Sequence, residues 1–151
     1  MDYARRKTNA EPFSRLPFQW QGALPKRGWN ILSEAPPPVG RRLLSVDTER
    51  GRLVYVRLAR HGGGPQAASG QQGAVLLTEQ QQAEALEFTN RLWSEDPVFS
   101  DANRNKSHAL VTIILVDEGL FKSFSSCDPA DELHVFNLKL WQWAAEGGAD
   151  F

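Results

Sequence analysis

The sequence predicts an α+β protein, a mainly antiparallel sheet of four to six strands with two principal helices on one face. Three observations predict it. A strand–turn–strand segment followed by a helical segment occurs at 41–95, and the same ββα order returns at 108–146. Apolar residues recur every second position in the strand segments and every third or fourth in the helical ones. Asp and Gly stand between the paired strands, where they satisfy tight-turn backbone geometry. The expected organisation is an irregular, Pro- and aromatic-rich arm over residues 1–40, then a single α+β domain over 41–151.

Within the arm, Pro12, Pro17, Pro25 and Pro36-Pro37-Pro38 forbid a long helix, because proline lacks an N–H and restrains its neighbour. Its Phe13, Leu16, Phe18, Trp20, Leu24, Trp29, Ile31 and Leu32 are too apolar for a solvated tail. They call for docking on the domain or on a partner, with 29–33 as a short edge strand. Residues 41–60 read as a hairpin: Leu44 and Val46 alternate on one strand, Val54, Val56 and Leu58 on the next, and the turn runs from Asp47 to Gly51. The glycine-rich stretch 61–73 reads as a surface loop, followed by a short strand at 75–77. A helix over 78–94 starts with a capping box, Thr78 and Gln81, and carries Ala85, Leu86, Phe88, Thr89, Leu92 and Trp93 on a broad apolar stripe.

The second unit opens on HALVTIILV, apolar on both faces and therefore expected to be a central strand. The turn Asp117-Glu118-Gly119 leads into the more polar LFKSFSSC. Asp128 as N-cap and Pro129 at the first helical position open the last helix. Its main stripe is Leu133, Phe136, Leu140, Trp143 and Ala144, and Val135, Leu138 and Trp141 form a second. A helix apolar on two sides is either sandwiched or keeps a face for a partner.

Composition narrows the class. Hydrophobic residues make up 41% and the net charge is −1, so no overall basic field favours nucleic acid. Charge is uneven: residues 1–28 hold six Lys or Arg against Asp2 and Glu11 (+4), and residues 128–151 hold five acids against Lys139 (−4). No apolar run approaches the roughly 18 residues of a membrane helix. One cysteine suits a reducing compartment, so a cytoplasmic protein is expected.

The catalytic motifs in the sequence are incomplete. His61-Gly62-Gly63-Gly64 matches an oxyanion-hole pattern, yet no G-x-S-x-G nucleophile elbow accompanies it. Cys127 precedes a helix N-terminus, a position that can activate a thiol, but Asp128 beside it favours the neutral form. Cys127 and His134 are not at a zinc spacing, no CxxC or HExxH occurs, and Asp96, Asp101, Asn103 and Asn105 lack the glycine and glutamate of a calcium loop. No catalytic residue, metal or cofactor is therefore expected. Trp20 and Trp29, outside the periodic core, are candidate anchors, since exposed tryptophan buries a large area at low entropic cost.

The hairpin VTIILV-DEG-LFKSFSSC and the helix DPADELHVFNLKLWQW resemble small bacterial α+β proteins that inhibit a cognate enzyme, such as emfourin-type protease inhibitors and immunity proteins of contact-dependent toxins. The resemblance implies a scaffold presenting loops to a protein target. Residues 1–40 have no counterpart in it. The expected function is a non-enzymatic protein-binding module, an immunity protein, inhibitor or adaptor, whose partner is another protein such as a cognate toxin or enzyme. Candidate contacts are Phe18, Trp20, Trp29, His61, Asp101, Asp117 and Glu118. The alternatives are a small hydrolase using Cys127 or His61, and a carbohydrate-binding protein using the arm tryptophans.

Overall fold

The computed structural model describes residues 10–16, 24–34, 41–58, 68–95, 97–99 and 110–147. Their elements are β1 (Glu11–Pro12), a 3-10 turn (Phe13–Arg15), β2 (Arg27–Glu34), β3 (Arg41–Asp47), β4 (Arg52–Leu58), β5 (Ala68–Leu76), α1 (Glu79–Glu95), β6 (Leu110–Asp117), β7 (Leu120–Ser126) and α2 (Glu132–Glu146). The strands form one antiparallel sheet in the order β1-β7-β6-β2-β3-β4-β5. Seven strands thus replace the expected four to six. The first unit is ββ plus β5 and then α1, so the two ββα copies do not match.

The local turn chemistry works as read. Asp47 Oδ1 accepts from the Glu49 N–H at 3.0 Å in the β3–β4 turn. Glu118 and Gly119 both have positive φ (51° and 81°), the geometry of a two-residue hairpin turn whose twist matches that of β6 and β7. At the start of α1, the Gln81 N–H donates to Thr78 Oγ1 at 3.1 Å and the Thr78 N–H donates to Gln81 Oε1 at 2.9 Å, a complete capping box. The start of α2 differs from expectation. Its N-cap is Asp131, and Asp128 instead closes the preceding turn by accepting from the Ala130 N–H at 2.9 Å. Pro129 therefore lies before the helix.

The largest correction concerns residues 27–34. They form the middle of the sheet, with β3 on one side and β6 on the other in unbroken register. A central strand thus replaces the short edge strand expected at 29–33. Prolines flank this strand without entering it, so no ladder bond is lost. Gly28 has φ of 148°, and a Cβ there would lie 1.9 Å from the Val46 carbonyl oxygen, so only glycine fits where β2 enters the sheet. The stretch 61–73 is corrected in its second part, where 68–73 belong to β5.

Register assembles the core. One row of paired residues runs Val75–Leu53–Val46–Trp29–Leu115–Lys122 and the next runs Gly73–Tyr55–Leu44–Ile31–Ile113–Phe124. Both rows face the helices, whose Phe88, Leu92, Leu133, Phe136 and Leu140 complete a single apolar cluster. A slip of one residue in any strand would turn its row to the other face. Gly73 ends its row because the Tyr55 ring lies over it: a Cβ there would be 2.2 Å from Tyr55 Oη. Lys122 ends the other row; its buried ammonium donates to the Trp93 carbonyl oxygen at 2.5 Å. That carbonyl is in the last turn of α1, where carbonyls lack helical partners and a cation is favoured. On the opposite face, Leu16 from the N-terminal segment covers Ile114, Val116 and Phe121, with Phe13 and Leu24 beside it.

Candidate functional site: the groove between the helices

The seven residues expected to meet a partner fare differently. Phe18, Trp20, His61 and Asp101 lie outside the described residues. Trp29 is 2% exposed, with its ring centroid 5.3 Å from that of Phe136. It is a core residue, which removes it as an exposed anchor and as a platform for a sugar. The cause is non-local: β2 pairs with strands on both sides, so its odd residues point into the helix layer.

Asp117 and Glu118 do come together, at the end of the sheet where β2 begins. Arg27 Nη2 donates to Glu118 Oε1 at 2.9 Å, and Arg27 Nε lies 3.5 Å from Asp117 Oδ1 and 3.7 Å from Glu49 Oε1. One guanidinium thus gathers three carboxylates from two turns. Such partly solvated pairs contribute about 0–1 kcal/mol each. Their effect here is to hold the β3–β4 and β6–β7 turns side by side.

Cys127 is 2% exposed and lines neither pocket of the groove described below. Around it, Ser126 Oγ donates to Asp131 Oδ2 at 2.7 Å and accepts from the Asp128 N–H at 3.2 Å. His134 Nε2 lies 2.8 Å from the Ser126 carbonyl oxygen and is buried. These bonds fasten the β7–α2 connection and give the serine, the carboxylate and the imidazole structural partners. Among the described residues, no three of His, Cys, Asp and Glu gather so as to hold a metal ion. No helix among them is long and apolar enough to cross a membrane.

A concave surface lies between α1 and α2. Glu84 pairs with Lys139 at 3.3 Å and Arg91 with Glu132 at 3.1 Å. The partners are seven residues apart on each helix and run in opposite orders, so the helices are antiparallel neighbours. Phe88 and Phe136 stack beneath these bridges with centroids 4.3 Å apart. Two pockets adjoin there. One, of about 320 Å³, is lined by Glu84, Glu87, Phe88, Val135, Phe136 and Lys139 among others. The second, of about 340 Å³, extends toward Leu92, Glu95, Val98 and Asp131. Both share Phe88, Arg91, Ala130 and Glu132, so the Arg91–Glu132 bridge stands at their junction. Together their walls carry five acids (Glu84, Glu87, Glu95, Asp131, Glu132) against Arg91 and Lys139, a formal charge of −3.

Beside the groove, α2 presents Val135 and Leu138 outward, 51% and 65% exposed. The second apolar stripe of this helix was legible in the sequence. Its juxtaposition with an acidic-walled groove was not, because Glu84, Glu87 and Glu95 reach it from a helix that starts 53 residues earlier. Comparison with protein-family models, curated proteins and solved structures finds no match.

Proposed function

We propose that this chain is a non-enzymatic protein-binding module that works by steric occlusion or assembly, as an immunity protein, inhibitor or adaptor does, on a protein partner such as a cognate toxin or enzyme in a bacterial cytoplasm. The observation that carries the reading is the outer face of α2. Val135 and Leu138 stand in solvent beside a groove in which Phe88 and Phe136 lie under an acidic rim. A helix apolar around most of its circumference is normally covered, and apolar area flanked by polar walls is the anatomy of an interface centre and its rim. The complementary partner segment is an apolar ridge flanked by Lys or Arg. Asp117 and Glu118, at one end of the sheet, are kept as contacts of this proposal together with Phe18, Trp20, His61 and Asp101.

The test is photo-crosslinking from position 138 in native lysate, purification of the captured protein, and titration against wild type and the double variant Val135→Glu, Leu138→Glu. The reading expects saturable binding that weakens at least tenfold in the variant at unchanged melting temperature, because both positions are exposed. Equal affinity in the variant, or no saturable partner, refutes it.

A further inference from the structure

We propose that β5 is the seam of a symmetric dimer in which two copies of this chain pair their outer strands antiparallel. β5 is the last strand of the sheet, and among the described residues its ladder partner is β4 alone. Exposed edges are ordinarily protected by shortness, charge, proline or a bulge. β5 spans nine residues, ASGQQGAVL, with no charged residue and no proline. The register shift opposite Val56–Leu58 disturbs only its first part and leaves Gln72–Leu76 in regular pairing with Arg52–Val56. At that regular end, Leu76 is 77% exposed.

The opposite edge carries the protections that β5 lacks. β1 covers β7 with two residues, one of them Pro12, and Glu11 beside it pairs with Arg15 at 3.8 Å. Among the described residues, one edge is therefore blunted and the other is open. Two considerations select a second copy as the occupant. An uncharged strand placed antiparallel to itself sets no like charges opposite each other. Self-pairing about a two-fold axis also uses the open edge of both molecules, so the assembly closes at two rather than growing into a fibre. A strand seam is small beside the roughly 1,600 Å² of a standard interface, so the dimer should dissociate on dilution. This surface is separate from the groove between the helices, and either proposal can fail alone.

Sedimentation velocity of the full chain from low micromolar to near-millimolar concentration tests the assembly. Hydrogen exchange at both extremes locates it. The expected result is a reversible shift from 16.9 kDa to twice that mass, with amides of 68–76 gaining protection as concentration rises. Ala74→Lys and Leu76→Lys, at exposed positions, should keep the chain monomeric while its circular dichroism melt at low concentration is unchanged. A monomer throughout, an open series of larger species, a dimer whose β5 amides gain no protection, or a dimer unaffected by folded lysine variants overturns the proposal. Should a lysine variant fail to fold, the concentration dependence of wild-type exchange decides.

Discussion

Replacing Trp29 separates its two possible roles, core residue and partner anchor. The side chain is 2% exposed, lies between Val46 and Leu115 on the neighbouring strands, and contacts Phe136 of α2 at 5.3 Å between centroids. Trp29→Ala deletes an indole from the centre of the sheet, where both neighbouring strands are fixed and collapse into the space is restricted. Buried Trp→Ala changes of this kind cost about 3–5 kcal/mol. At about 2–4 °C per kcal/mol for a chain of this size, the melting temperature should fall by about 6–20 °C. Trp29→Phe is the informative control. It retains a ring against Phe136 and removes an indole N–H that has no hydrogen-bond partner among the described residues. Its cost should therefore be about 1 kcal/mol, with no donor left stranded. Urea denaturation followed by circular dichroism reads both variants. A Trp29→Ala protein within ~0.5 kcal/mol of wild type, the range of ordinary surface substitutions, would refute the placement of β2 at the centre of the sheet.

Three further outcomes follow from local geometry. Gly28→Ala should lose at least ~2 kcal/mol in urea titration, because its φ of 148° is strained for alanine and the added carbon meets the Val46 carbonyl. Lys122→Met should cost about 1–3 kcal/mol by the same assay, since it keeps an unbranched apolar stem but leaves the buried Trp93 carbonyl without its charged donor. Thr78→Ala should cost ~0.5–2 kcal/mol and speed amide exchange in the first turn of α1, as loss of a capping hydroxyl does.

Legibility followed sequence separation. The β6–β7 turn, the β3–β4 turn and the Thr78–Gln81 box involve partners within about five residues, so residue type alone carries their geometry. The Asp128–Pro129 signal was misplaced by three residues because Asp128 bonds the Ala130 N–H of a turn with the same kind of contact a cap would make. At β2 the segment is bounded by prolines and holds Asn30 and Ser33 among apolar residues, so nothing local distinguishes a central strand from an arm. Its pairing partner β6 lies 76 to 90 residues away along the chain, as Glu34↔Leu110 and Arg27↔Asp117 show.

For the candidate groove, the sequence alone determined that α2 has more apolar surface than one packed face requires: Val135 and Leu138 fall off the stripe of Leu133, Phe136 and Leu140. Periodicity along one helix suffices for that. Which surfaces lie beside those residues is a property of strand order and helix placement. Only the tertiary structure decided that β2 joins the two hairpins, that Trp29 is consumed by the core, and that α1 lends its glutamates to the wall of the groove. Those outcomes depend on contacts between segments tens of residues apart, selected by burying the rows of one sheet face under both helices at once.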